Sequence, residues 1–389
     1  MKQKICLISP KFWDYVGGME THAYEFARWF NDHPNYKITS IITKKKVPDG
    51  IPVASRVSPF KISIIKELTA NFDDDLKVIL NNSPENTDVY FFNSPNWIPI
   101  FKGLKEARPR SKIIVRSGGT DLVAGWIGNE TDTTQNIFKN RKIISKAIND
   151  FVDVLIVNSN FSKERSLKIG IKENKIEVVL GGVDCDGFKP ILREDGSSKI
   201  IVLHVSRFVK CKGVANSIEA FRKAMDKSGK EMELILVGDG PERPFLESIV
   251  KKFKLEDKIK FLGAKNIEAM PNYFNNSDLF LHLPITLKRK ERGGEYEHVE
   301  SMGRVFCEAA ATGIPSIAFS VGGVPEVIED KITGFLFKEG DIDGAAEKIY
   351  VLSMNNDLRR EMGNSARKKA LKEFDWKIIF NKYEKLFSK

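Results

Sequence analysis

No stretch of this chain is apolar for long enough to cross a bilayer, and the opening MKQKICLISPKFW carries an apolar run of only four residues, Ile5 to Ile8. That run is too short for the core of a secretory signal, so neither export nor membrane spanning is expected. Cysteine is scarce: Cys6, Cys185, Cys211 and Cys307 lie far apart and form neither a metal-type nor a redox-type pair. They read as reduced thiols, which suits a cytoplasmic protein. The five histidines are scattered, and His298 beside Glu300 does not complete H-E-x-x-H. No metal site is expected. Repeats, low-complexity segments and the interleaved basic and aromatic pattern of a nucleic-acid groove are absent too, so nucleic acid is not expected as a partner.

What is present is ordinary in bulk. A length of 389 residues implies two domains, because single hydrophobic cores stop growing well before it. Hydrophobic residues make up 42% and charged residues 29%, as in globular chains. The net charge of +10 favours anionic partners: a nucleotide diphosphate, an anionic membrane face or nucleic acid. Charge alone does not choose among them.

Apolar runs at Lys4 to Ser9, Ile38 to Thr43, Val89 to Asn93, Ile113 to Arg116 and Val154 to Asn158 predict strands. A helix is predicted over Met19 to Phe30, with Ala23, Phe26, Ala27 and Phe30 on one face. Strand, glycine loop and helix open a Rossmann-type unit, and the continued alternation implies a parallel sheet. At Gly181 to Ser198, GGVDCDGFKPILREDGSS collects turn residues, after which the alternation restarts with IIVLHVSRF, LILVGDGPE, IKFLG and DLFLHLP. Two α/β halves joined near residue 190 follow. The tail FDWKIIFNKYEKLF is an amphipathic helix.

Chemistry concentrates between Glu295 and Val327, EYEHVESMGRVFCEAAATGIPSIAFSVGGVPEV. A helix beginning at Gly303 or Arg304 and ending before Gly313 places Glu308 in its second turn and Glu300 just ahead of it. Free N–H groups and the positive end of the helix dipole then offer a seat for phosphate, and the carboxylates can accept hydrogen bonds from sugar hydroxyls. The other reading, a surface helix with two solvated glutamates, lacks an account of the surrounding glycines. In VSRFVKCKG, Arg207 and Lys212 lie on a loop between strand and helix, where two cations suit a diphosphate leaving group.

The segment ESMGRVFCEAAATGIPSIAFSVGGVPEVIEDKITGFLF resembles the donor-site signature of retaining glycosyltransferases of family four, and the likeness covers most of the chain. The resemblance implies a GT-B fold: two Rossmann-like domains facing across a cleft, with a C-terminal helix crossing back to the first. The expected divisions are an acceptor-side domain over 1–188, a nucleotide-sugar-binding domain over 189–373, and the returning helix over 374–389. It also implies that Glu300 contacts the donor sugar, that Glu308 holds the ribose, and that Gly303, Arg304 and Val305 supply backbone against sugar and phosphates. Arg207 and Lys212 correspond to the cations that grip the phosphates. Gly17 and Gly18 correspond to the first glycine loop, and Gly238 to a turn near the nucleotide.

Three places depart from the family pattern or stay open. Met302 stands where an aromatic is usual, and Gly118 replaces a histidine that touches the donor sugar, leaving Arg116, Thr120 and Asp121 as acceptor-side substitutes. Asp73 to Asp75 read either as a divalent-metal site, as in the other major glycosyltransferase fold, or as a charged helix start; the second is preferred. Thr286 to Val299 reads as a lid or acceptor clamp, or as a plain solvated loop.

The resulting expectation is a retaining, metal-independent glycosyltransferase without a cofactor. It moves a sugar from a UDP- or GDP-linked donor to a hydroxyl of a glycan, lipid-linked or small-molecule acceptor, in cell-surface polysaccharide or glycolipid synthesis. The alternatives are a catalytically silent nucleotide-sugar-binding subunit and a sugar-nucleotide epimerase. Basic clusters at Lys44 to Lys46 and Arg108 to Lys112 suggest peripheral attachment to the inner membrane face, against the reading of solvated loops.

Overall fold

The computed structural model describes residues 2–12, 17–44, 62–65, 72–119, 122, 141–191, 199–291 and 294–388. The chain forms two compact units. The first comprises Met1–Leu180, Lys290–Tyr296 and Phe380–Lys389; the second comprises Gly181–Arg289 and Glu297–Ile379.

The first unit is built on β1 (Gln3–Ser9), β2 (Tyr36–Lys44), β3 (Ile62–Ile65), β4 (Val89–Phe92), β5 (Lys112–Ser117), β6 (Val154–Val157) and β7 (Ile176–Val178). They line up in the order β3-β2-β1-β4-β5-β6-β7, every neighbouring pair parallel. Strands such as ICLI and VYFF are apolar throughout because helices cover both faces of a parallel sheet. Those helices are α1 (Gly18–Asp32), α2 (Phe72–Asn82), α3 (Phe101–Ala107), α4 (Arg141–Phe151) and α5 (Asn160–Lys168). Asp73, Asp74 and Asp75 occupy the first turn of α2, where carboxylates complement the helix dipole.

On one face Phe26 of α1 stacks on Phe91 with ring centroids 4.1 Å apart; on the other Phe92 meets Phe101 edge-on at 4.9 Å. Such pairs contribute about 0.5–1.5 kcal/mol each beyond burial.

The second unit repeats the plan with β8 (Ile200–Val205), β9 (Met232–Val237), β10 (Ile259–Gly263), β11 (Leu279–His282), β14 (Ser316–Phe319) and β15 (Gly334–Phe337), all parallel. Their order is β10-β9-β8-β11-β14-β15. The chain therefore winds outward one way from β8 and the other way from β11. Ligands of such sheets bind beyond the carboxyl ends of the strands at that reversal. Its helices include α6 (Val214–Ser228), α7 (Arg243–Lys252), α8 (Arg304–Ala311), α9 (Ile342–Met354) and α10 (Asn356–Lys369). Between β11 and α8, the segment read as a lid or loop forms β12 (Leu287–Glu291) and β13 (Gly294–His298), a two-stranded sheet.

The units divide at Leu180/Gly181. The glycine-rich stretch after Leu180 is tied into the second unit: Val183 donates to the carbonyl of Phe374, and Arg367 donates to the carbonyls of Cys185 and Ala311. A Cβ on Gly182 would come within 2.1 Å of the Trp376 ring. The tail is divided too. α11 (Trp376–Ser388) begins in the second unit, while Phe380–Lys389 are part of the first, where Tyr383 hydrogen-bonds His22 at 3.0 Å and Phe387 packs 5.0 Å from Phe30.

Candidate active site

The second unit gathers its charged groups where the sheet order reverses. After β8, Ser206 to Phe208 lead into a turn, Lys210–Lys212, which ends at Gly213 before α6. Gly213 has φ +60°, and a Cβ there would come within 1.7 Å of the carbonyl oxygen of Leu283, the residue after β11. Only glycine lets the two strand ends approach so closely. Ile285 N–H donates to the Cys211 carbonyl at 2.9 Å, fixing the same contact. Lys212 is thereby aimed across β11, where its ammonium pairs with the carboxylate of Glu300.

Glu300 is held from the other side by the second glycine pair. Gly323 N–H donates to its carbonyl at 3.1 Å, and Gly322, φ +54°, lies so close that a Cβ would be 1.9 Å from that oxygen. The Glu300 side chain is 12% exposed. Burial by itself raises its carboxyl, but Lys212, together with His282, overrides this and holds the group well below the usual carboxylate range.

α8 starts at Arg304 behind Gly303, whose φ is +78° and where a Cβ would meet the Phe306 ring at 2.6 Å. Gly303, Arg304 and Val305 thus form the helix start just after Glu300. Glu308 lies in the second turn, buried, with Arg304 at 3.3 Å. Burial pushes the Glu308 carboxyl up, and Arg304 offsets this only in part. Met302 is buried, and its Sδ accepts from the Gly181 N–H at 3.0 Å, so the residue in the usual aromatic position serves packing.

Arg207 is exposed, and its guanidinium has no ion pair among the described residues. Its loop is shaped by GDGPE. Phe208 N–H donates to the Asp239 carbonyl at 2.8 Å, and Gly238, φ +140°, would bring a Cβ within 1.8 Å of the Ser206 carbonyl. Arg207, Lys212, Gly238, Glu300, Gly303, Arg304, Val305 and Glu308 therefore all belong to the second unit.

The remaining candidates belong to the first unit. Gly17 is the extended residue that precedes α1, and Gly18 is the first residue of the helix. Arg116, 6% exposed on β5, donates to Asn93 at 3.4 Å. It also faces Tyr383, whose phenol burial raises and Arg116 partly lowers. Its charge is occupied inside the unit. Thr120 and Asp121 lie outside the described residues. Among the described residues, no group of three His, Cys, Asp or Glu side chains can hold a metal ion, and the four cysteines are free and buried.

Two residues were missed. His204 on β8 and His282 on β11 are fully buried, their rings 4.9 Å apart, and His282 Nε2 lies 3.9 Å from Glu300. The available signal was a lone histidine within each of two apolar strands, VLHV and LFLH.

Among known protein families, residues 190–369 match the one described as Glycosyl transferases group 1. A relative from Bacillus anthracis, N-acetyl-alpha-D-glucosaminyl L-malate synthase, is 34% identical over 190 residues, 49% of this chain and 45% of its own length. The chain thus matches less than half of that relative. A GDP-mannose-dependent alpha-(1-6)-phosphatidylinositol monomannoside mannosyltransferase of Mycobacterium tuberculosis is 24% identical over 97% of this chain and 96% of its own. The crystal structure of Anabaena HepE in complex with UDP and glucose superposes with a TM-score of 0.73 at 18% identity, covering 100% of both chains. The fold is that of the GT-B glycosyltransferases. Within this group 1 segment lie all the charged residues gathered at the reversal of the second sheet, Arg207, Lys212, Glu300, Arg304 and Glu308.

Proposed function

We propose that this protein is a retaining glycosyltransferase that takes a sugar from a nucleoside-diphosphate donor and passes it to a hydroxyl. The Lys212–Glu300 pair at the reversal of the second sheet carries this reading, because it sets a cation for phosphate and a carboxylate for hydroxyls side by side. Lys212 and the exposed Arg207 take the diphosphate, whose negative charge grows as the glycosidic bond breaks. Glu300 then accepts from sugar hydroxyls and Glu308 from the ribose, with the N–H groups around Gly303 to Val305 toward the phosphates.

In the transfer, the bond from the anomeric carbon to the diphosphate oxygen breaks while a bond to the acceptor oxygen forms on the same face. The acceptor proton passes to the leaving diphosphate oxygen. No enzyme nucleophile is required, and the lysine and arginine neutralise the leaving group without a resident metal or cofactor. The UDP complex of HepE and the GDP-mannose dependence named for the mycobacterial relative support UDP- or GDP-linked donors. The relatives' names support a small-molecule or lipid-linked acceptor.

The test is incubation with UDP- and GDP-sugars. Release of nucleoside diphosphate that depends on an acceptor hydroxyl, with the product anomer matching the donor by NMR, is the expected result. Binding of donors without release would leave only the silent subunit, and interconversion of donor sugars would show the epimerase.

A further inference from the structure

Beneath the Lys212–Glu300 pair lie two histidines with no role in the scheme above. They sit on β8 and β11, the two strands between which the sheet order reverses. His204 is satisfied, with Nδ1 3.1 Å from the Ser217 hydroxyl and Nε2 2.8 Å from that of Ser206. His282 is not. Neither of its buried ring nitrogens has a hydrogen-bond partner, and at 3.9 Å Glu300 Oε2 lies beyond hydrogen-bond distance of Nε2. A fully buried ring with two unmet nitrogens is costly, and its setting between the rings of Phe280 and Phe306 would suit an apolar side chain.

The titratable groups that face His282 among the described residues are Glu300, Lys212 and His204; its own strand and α8 present only Phe280 and Phe306. Burial, aided by the Lys212 charge and opposed by that of Glu300, keeps the imidazole neutral while the pair is closed. A diphosphate on Lys212 changes that balance. It brings further negative charge to the lysine and leaves Glu300 without its cation in a site of low polarity.

We propose that His282 is a positioning residue for Glu300: when a donor diphosphate takes Lys212, His282 binds a proton from solvent at Nε2, and the imidazolium holds the carboxylate in place. Glu300 Oε1 is then left for the sugar hydroxyls, and the proton leaves again with the nucleotide. Nothing is oxidised or reduced. This rests on the reading of the site as one for nucleotide sugars.

The experiment is isothermal titration calorimetry of the whole protein with UDP-glucose and with GDP-mannose, in buffers of differing ionisation enthalpy. Both diphosphates are diesters with no proton to exchange near neutrality, so proton uptake reports on the protein. The expected result is an enthalpy that tracks the buffer, corresponding to uptake approaching about one proton per donor, and an affinity that falls as pH rises from about 6 to about 8. Both effects vanish in His282→Asn. Spectra of ¹⁵N-histidine-labelled wild-type protein, which need no variant, show one ring becoming protonated on donor addition. Buffer-independent enthalpy with a donor that binds overturns the proposal alone. Uptake unchanged in a folded His282→Asn also overturns it. Failure of both donors to bind, with no thermal shift from other UDP- or GDP-sugars, overturns the site reading and the proposal with it.

Discussion

Lys212 and Glu300, 88 positions apart in the chain, close on one another as an ion pair inside the second unit, while Arg207 on the same loop stays exposed and unpaired among the described residues. The two cations that the sequence presents as equals are therefore energetically different in the absence of donor.

Replacing Lys212 by Ala strips a largely buried carboxylate of its partner and is expected to cost about 1–3 kcal/mol of stability. Arg207→Ala should stay within about 0.5 kcal/mol of the parent. Both should lower turnover at saturating donor, since leaving-group charge peaks in the transition state. Urea unfolding and steady-state kinetics measure the two effects. Equal stability of the two variants would dissolve the distinction.

The pH dependence of the same pair has a definite sign. The Glu300 carboxyl is depressed in the folded state, so its contribution is present above the ordinary glutamate value of about 4.3 and is lost as pH falls through the folded value. The stability gap between the parent and Glu300→Gln should therefore narrow as the solution is acidified below about 4.3. A gap that widens on acidification contradicts the assignment.

Glu308 has the opposite sign. Its carboxyl is raised by burial, so the native state holds that proton more tightly than the unfolded chain and loses stability as pH rises from about 4.3 through the folded value. The melting temperature of Glu308→Gln, relative to the parent, should climb as pH rises above about 4.3. Glu308→Ala should weaken donor binding by about 1.5–3 kcal/mol, through lost charge-assisted hydrogen bonds to the ribose. Calorimetry checks both, and unchanged donor affinity removes Glu308 from the site.

Gly322 and Gly229 separate close approach from backbone conformation. Both have positive φ, +54° and +60°, but a Cβ on Gly229 meets nothing within 4 Å, whereas on Gly322 it would strike the Glu300 carbonyl. Gly229→Ala should cost only the left-handed penalty of about 1–2 kcal/mol. Gly322→Ala should cost clearly more and lower turnover as Glu300 is displaced. Equal losses in denaturant midpoint would show that the close approach is not required.

Peripheral attachment would draw on the basic residues of the first unit, each worth about 1 kcal/mol near an anionic surface. Lys45 and Lys46 lie outside the described residues. In the other cluster Lys112 already donates to the Phe387 carbonyl at 2.8 Å, which leaves Arg108 and Arg110 as its contributors. Sedimentation with anionic vesicles, reversed by salt and absent with neutral vesicles, is the expected outcome; no binding to either kind points to a soluble acceptor.

Several features were legible without coordinates because their causes are local. Continuous apolar runs between turn residues marked the central strands of both sheets. Gly303 and the small residues through Thr312 bounded α8, which placed Glu308 in its second turn. The strands Ile62–Ile65 and Ile176–Val178 were not legible, since they are the two edges of the first sheet and owe their pairing to the strand beside them. Tertiary structure alone decided the rest. The turn after Leu180 belongs to the second unit because Trp376 and Arg367, far along the chain, claim it. The pairing of Lys212 with Glu300 and the edge-on contact of His204 with His282 arise from the order in which parallel strands assemble. That order joins residues far apart in the chain, and local spacing does not encode it.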